Sequence, residues 1–194
     1  MSGTARAARA DLHIRLADPE RDAERAAEIY RPAVEGSAIS FEEFAPEAPE
    51  MAERIRAVLT FRPWLVAETD DAGVIGYAYA SEHSARAAYR WTVNISAYVH
   101  PEWQGRGVGK RLYGELLAAL RQQGFVNACA GVTVPNPASV ALHESIGMSV
   151  VGVYRRVGYK LGRWHDVAWY GLRLSEPEGA PGEPVWQLEL KPSR

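Results

Sequence analysis

Gln104-Gly105-Arg106-Gly107-Val108-Gly109-Lys110 places three glycines and two cations between an apolar alternating run and a helix-patterned one, a composition suited to holding an anion. Glycine tolerates positive φ and puts no side chain between the backbone and a ligand. Where such a turn opens a helix, unpaired N–H groups and the positive end of the helix dipole converge on one point, which suits a phosphate or diphosphate. Spacing excludes two better-known phosphate loops. A P-loop needs four residues between its first Gly and the Gly-Lys pair, then Ser or Thr; here three residues separate Gly105 from Gly109, and Arg111 follows Lys110. The dinucleotide fingerprint reads G-x-G-x-x-G with an acidic residue on the next strand; here the pattern is G-x-G-x-G, and Asn127 to Val132 has no Asp or Glu. What remains is Q-x-x-G-x-G.

The elements that must hold this turn flank it. Trp91 to Val99 alternates apolar and polar positions and is rich in β-branched and aromatic residues, so it reads as a strand with Thr92, Asn94, Ser96 and Tyr98 on one face. Val108, Leu112, Leu116 and Leu120 recur at helical spacing until Gly124. Leu12 to Leu16 is a short strand, and Asp18-Pro19 caps a helix running to Val34. Gly36 to Pro46 is a loop carrying Phe41, followed by a helix over Glu47 to Leu59. Trp64 to Glu68 and Val74 to Ser81 form a hairpin about Asp70 to Gly73. After the glycine turn and its helix come a strand at Asn127 to Val134, a helix capped by Asn136 with Pro137 behind it and ending at Ile146-Gly147, and strands at Met148 to Arg156 and His165 to Leu174. Hairpins at both ends with crossovers between them predict one α/β (α+β) domain, its mixed, mostly antiparallel sheet of about seven strands flanked by helices. That domain covers residues 12–174; residues 1–11 are expected to be a disordered leader, and 175–194 an extension in which Glu176 to Pro184 is a linker. Val185 to Leu190 alternates like a further strand, free to pair with a domain edge or with a partner.

Composition removes several classes of function. The chain has 194 residues, 47% hydrophobic and 24% charged, with a formal charge of −2, which argues against nucleic acid as the principal partner. No apolar run approaches a membrane span and the first ten residues lack the apolar segment of a signal peptide, so a cytoplasmic protein is expected. The single Cys129 permits no internal disulfide and, within an apolar strand, reads as an inert thiol.

Q-x-x-G-x-G resembles the acetyl-CoA diphosphate loop of the GNAT superfamily of N-acetyltransferases, with Gln104, Gly107 and Gly109 in register. The superfamily pattern continues with an Asn opening the next helix, a reactive hydroxyl seven positions later and Gly at the helix exit. Asn136, His143 and Gly147-Met148 occupy those places. Histidine in the hydroxyl position, together with Trp64 to Glu68, Ala85 to Val93, Leu142-His143-Glu144 and Gly158 to Val167, is similar to the phosphinothricin (glufosinate) N-acetyltransferase family over residues 12–174. The resemblance implies the GNAT acyl-CoA N-acyltransferase fold, a homodimer, no metal, and direct acetyl transfer from acetyl-CoA to the α-amine of a small amino acid analogue such as phosphinothricin, methionine sulfoximine or methionine sulfone. The backbone of Ala97, Tyr98 and Val99 would run beside the pantetheine arm, and the amides of Gly105, Arg106, Gly107, Val108, Gly109 and Lys110 would hold the diphosphate. Asn136 and Ser145 would touch other parts of CoA, although a plain helix cap serves Asn136 as well. A β-bulge in the long strand would splay it from its neighbour and admit the thioester.

In the family, the position two residues after Thr92 is a glutamate taken as the general base. Here it is Asn94, whose amide cannot accept a proton at neutral pH and is left to orient substrate or water. His143 is the favoured replacement, with Glu82 or His83 acting through water as alternatives. Arg86 offers a planar two-point donor for the substrate's carboxylate or phosphinate, with Tyr89 in support. Phe41 and Trp91 are candidates for the walls of the acceptor pocket, Phe41 reading equally well as a core aromatic. Trp164, His165 and Asp166 match the family and fit a structural role, Trp164 in the core and the other two bonded to a loop. Two other readings compete: a module that binds acetyl-CoA with little turnover because the family glutamate is Asn94, and an acetyltransferase acting on a protein N-terminus or lysine.

Overall fold

A computed structural model describes residues 12–186, so the expected leader at residues 1–11 and most of the expected last strand, residues 187–190, lie outside the described part. Val185 and Trp186 are in no strand. The elements follow in the order β1 (His13–Leu16), α1 (Pro19–Glu35), α2 (Ala48–Leu59), β2 (Trp64–Thr69), β3 (Gly73–Glu82), β4 (Thr92–Val99), α3 (Val108–Gln122), β5 (Asn127–Val134), α4 (Pro137–Ser145), β6 (Ser149–Lys160) and β7 (Arg163–Arg173). Single 3₁₀ turns at Ala87–Tyr89 and Pro101–Trp103 lie before and after β4.

One seven-stranded sheet runs β1-β2-β3-β4-β5-β7-β6, antiparallel throughout except where β4 meets β5. Hydrophobic periodicity decides which helix covers which face. Val108, Leu112, Leu116 and Leu120 of α3 are buried against Leu65, Ala78, Val93, Ile95 and Ala128, and each fully buried leucine contributes roughly 1.5–3 kcal/mol. On the opposite face Ala26, Ile29, Tyr30 and Val34 of α1, with Met51 and Ile55 of α2, cover Trp64, Val66 and Tyr77. α4 lies on the α3 side, its Val140, Leu142 and Ile146 packed against that core.

Local chemistry fixes the helix starts. Asp18 accepts from the amides of Glu20 and Arg21, and Asn136 from that of Ser139, with proline at the first helical position in both cases. The hairpin of β6 and β7 is longer than its sequence pattern predicts, because a register shift between Tyr154 and Gly158 interrupts the alternation. Arg156 sits there at φ +50°, and the strand resumes beyond it. The tip is bound to the α1–α2 connection: Lys160 Nζ donates to the carbonyls of Val34 and Ser40, and Phe41 occupies the space that a side chain at position 158 would need.

Candidate active site

Backbone conformation accounts for two of the turn's glycines and packing for the third. Gly105 (φ +71°) and Gly107 (φ +84°) lie in the left-handed region, and a Cβ on either would project into open space. At Gly109 a Cβ would come within 3.1 Å of Leu142, so glycine lets α3 and α4 approach. Gly107 caps α3 without a side chain, and the first intrahelical bond runs from Arg111 N to Gly107 O at 3.1 Å. The amides of Val108, Gly109 and Lys110 therefore have no partner inside the helix. Gln104 turns away from them, donating through Nε2 to the Val99 carbonyl at 3.0 Å and bracing the turn on the end of β4. The Arg106 guanidinium lies 4.9 Å from the centre of the Trp103 ring, and Lys110, in the first turn of α3, is exposed.

Beside this turn the sheet opens. β4 and β5 pair only at Thr92, Asn94 and the residue between them, although β4 continues to Val99 and β5 to Val134. The edge of Ala97, Tyr98 and Val99 that faces β5 therefore has no strand partner. The expected β-bulge is absent: pairing with β3 runs without a shift from Gly76↔Val99 to Glu82↔Val93. Divergence of two neighbours, with β5 held by β7 along its whole length, opens the gap instead. Unbroken alternation leaves Val93 and Ile95 in the α3 core and puts Asn94, Ser96 and Tyr98 on the α1–α2 face, Tyr98 packed edge-on against Tyr30 at 4.7 Å.

His143, the favoured replacement base, is buried and bonded within the core. It is 5% exposed; its Nδ1 lies 2.7 Å from the Ser139 carbonyl of its own helix, and its Nε2 lies 3.3 Å from the Tyr113 hydroxyl. A carbonyl can only accept, so Nδ1 carries the proton and the Nε2 lone pair faces the buried tyrosine rather than the gap. Burial holds its pKa below the ordinary value, outweighing the Ser139 hydrogen bond. This is the geometry of a packed core histidine.

The remaining site residues divide. Asn94 Oδ1 meets His83 Nδ1 at 2.9 Å, while its Nδ2 donates to the Glu82 carbonyl at 3.3 Å. Tyr89 stands over His83, ring centres 5.4 Å apart, with Arg86 exposed at the start of the same 3₁₀ turn. Phe41 is partly exposed against Gly158 and 6.1 Å from His165. Trp91 departs from its expected place in the pocket wall: its Nε1 donates to the Gly182 carbonyl at 2.7 Å, and Arg90 stacks on it while bonding Glu183 at 2.6 Å, so the C-terminal extension straps across it. Asn136 acts as a cap, and Ser145 donates to the Leu142 carbonyl at 2.8 Å. His165 and Asp166 bind the hairpin, to Lys160 O and to Arg155 and Arg156 N, whereas Trp164 is half-exposed against Tyr159 rather than in the core. Cys129 is only partly covered, and burial pushes its thiol pKa up.

Residues 14–169 match the family model described as an acetyltransferase (GNAT) domain. The chain belongs to the GNAT acetyltransferase family. It is 38% identical over 152 residues to a phosphinothricin N-acetyltransferase of Streptomyces viridochromogenes, covering 78% of this chain and 81% of that one. To an L-methionine sulfoximine/L-methionine sulfone acetyltransferase of Salmonella typhimurium it is 34% identical over 167 residues, 85% and 96% of the two chains. The crystal structure of a GNAT superfamily phosphinothricin acetyltransferase from Sinorhizobium meliloti in complex with acetyl-CoA superposes with a TM-score of 0.84 at 36% identity, covering 90% of this chain and 95% of that one.

An aromatic cavity of about 280 Å³ that the sequence of this GNAT chain does not announce lies between the helices and the sheet, lined by Tyr30, Met51, Arg54, Trp64, Tyr77 and Tyr79. Its signal was present as tyrosines at alternate positions of β3, but α1 and α2 supply the roof from far away in sequence. Among the described residues no group of His, Cys, Asp and Glu is arranged to hold a metal.

Because burial lowers the His143 pKa, the folded state resists protonation there. Its contribution to stability is complete above the unfolded value of about 6.5 and is lost as pH falls below it toward the folded pKa. Thermal melts from pH 7.5 down to pH 5 are expected to show a smaller acid loss of stability for His143→Gln than for the parent; equal losses would assign the effect elsewhere.

Proposed function

We propose that this GNAT chain moves the acetyl group of acetyl-CoA to the α-amine of a small amino acid-like substrate of the phosphinothricin or methionine sulfoximine and sulfone type. The observation that carries this reading is the conjunction of a side-chain-free turn at the start of α3 with an unpaired edge of β4 ending at that turn. Three free amides and two nearby cations fit a diphosphate, and the bare edge fits an extended amide-bearing arm. Gly105, Arg106, Gly107, Val108, Gly109 and Lys110 take the diphosphate, and the backbone of Ala97, Tyr98 and Val99 takes the pantetheine. Asn136 and Ser145 touch CoA in addition to their bonds within α4. When bound, acetyl-CoA supplies the activated acyl group. A β4 N–H aimed at the acetyl oxygen stabilises charge that develops there, an effect worth about 3 kcal/mol in comparable sites.

The acceptor approaches from the α1–α2 face, where Arg86 and Tyr89 receive its carboxylate or phosphinate and Phe41 closes the far wall. Asn94 takes an orienting role, and His143 supports α4 from within rather than taking a proton. A cytoplasmic location suits this chemistry, and among the described residues no helix is long and apolar enough to cross a membrane. We also propose a homodimer built on β6, an edge strand on which Val150, Val151, Tyr154 and Val157 are exposed.

Thiol release from acetyl-CoA should be detected with phosphinothricin, methionine sulfoximine or methionine sulfone and should be far weaker with peptides; activity on peptides alone would overturn the substrate class. Gly107→Val, forced to place a β-branched residue at φ +84°, should weaken acetyl-CoA binding at least about tenfold in calorimetry. Sedimentation should give a dimer for the parent and a monomer for Val151→Glu; a monomeric parent would remove the dimer.

A further inference from the structure

At the mouth of the gap the structure pairs an amide, which takes no proton at neutral pH, with a ring that can. The amide of Asn94 is oriented by its second bond: Nδ2–H donates to the Glu82 carbonyl at 3.3 Å, so Oδ1 is the atom that meets His83 at 2.9 Å. An amide oxygen only accepts, so Nδ1 of His83 must carry the hydrogen, and the lone pair of the neutral ring lies on Nε2. This is the tautomer logic by which an amide or carboxylate orients a catalytic histidine.

The pair stands at the mouth of the gap. Asn94 is the last residue of β4 that pairs with β5, and it shares the α1–α2 face with Ser96 and Tyr98. His83, just past the end of β3, has two aromatic neighbours: the Tyr89 ring, tilted at 5.4 Å, and the Trp169 ring of β7, edge-on at 6.4 Å. Asn94 from β4, Tyr89 from the 3₁₀ turn and Trp169 from β7 are the groups that face it, and Glu82 is its chain neighbour. His143 shares none of this: its lone pair is engaged by Tyr113 in the core.

We propose that His83, held by Asn94, is the catalytic residue that takes the proton from the acceptor amine. An amino acid arrives as an ammonium ion. Nε2 of His83 removes one proton and passes it to water, since the ring is only half-buried. The neutral nitrogen bonds to the acetyl carbon, the carbon–sulfur bond breaks with its electron pair on sulfur, and the second proton of the former ammonium goes to the departing thiolate. The products are amide and thiol, with one proton released. Asn94 is a positioning residue that fixes the tautomer.

The inference rests on the acetyl-transfer reading, and the parent protein separates the two. Turnover of any amine in the panel by the parent upholds that reading whatever His83 does; no turnover by the parent would overturn both. On an amine that the parent acetylates, His83→Ala and His83→Gln should each lower kcat at least about a hundredfold. Acetyl-CoA affinity by calorimetry should stay within about twofold, because His83 lies outside the coenzyme contacts assigned to Gly105–Lys110 and Ala97–Val99; retained affinity also certifies the fold. Added imidazole should restore part of the His83→Ala rate. Asn94→Asp puts a carboxylate beside the imidazolium, stabilising the protonated ring, and should move the acid limb of the kcat–pH profile to higher pH. A His83→Gln enzyme that keeps kcat within about threefold of the parent, or an acid limb that stays in place in both His83→Gln and Asn94→Asp, would overturn the role of His83.

Discussion

A sheet strand that loses its neighbour partway along leaves backbone N–H and C=O groups without partners, and such groups are costly unless something satisfies them. Here that happens in the middle of the sheet rather than at its edge. β4 is paired with β3 from Val93 to Val99 and with β5 over three positions only. The rest of the architecture is arranged around the gap. α3 begins at the gap with bare amides, β7 draws β5 away by pairing it from Asn127 to Val134, and Gln104 satisfies the Val99 carbonyl at the point where β4 ends. A ligand with amide groups along an arm and a diphosphate at its end fits both sets of unpaired donors at once.

The side proposed for the acceptor is framed by contacts distant in sequence. Lys160 reaches the carbonyls of Val34 and Ser40, and Phe41 fills the space over Gly158, so the β6–β7 hairpin and the α1–α2 connection hold one another in place. The loop between them is further fixed by Glu42, which takes a two-point bond from Arg54 and accepts from Tyr30. The Arg54 bonds hold the Glu42 carboxyl below its usual pKa.

Much of this was legible in the chain because it depends on local rules. The glycine turn, the caps at Asp18 and Asn136 and the stripe Leu112, Leu116 and Leu120 each act within a few residues, and each lies where its pattern places it. What was not legible depends on where pairing stops or on contacts between distant segments. Nothing in the alternation of Thr92 to Val99 says that β5 leaves after Asn94, and a bulge was the reasonable expectation. Trp91 has the composition of a pocket wall, yet its indole binds Gly182, 91 residues away. His143 stands in the motif's reactive position, but whether its lone pair faces a gap or a buried Tyr113 is set by the docking of α4 on α3. His83 was only one of three candidate bases until the fold brought Asn94 within 2.9 Å of it.

The central claim is that main-chain donors at the start of α3 and along the open edge of β4 bind one coenzyme together. It is tested most directly by titrating ¹⁵N-labelled protein with coenzyme A and following individual amide signals. The account predicts that the resonances of Val108, Gly109 and Lys110 and those of Ala97, Tyr98 and Val99 shift in step at a single saturation point. Binding that moves neither group, or no saturable shift at all, would contradict it.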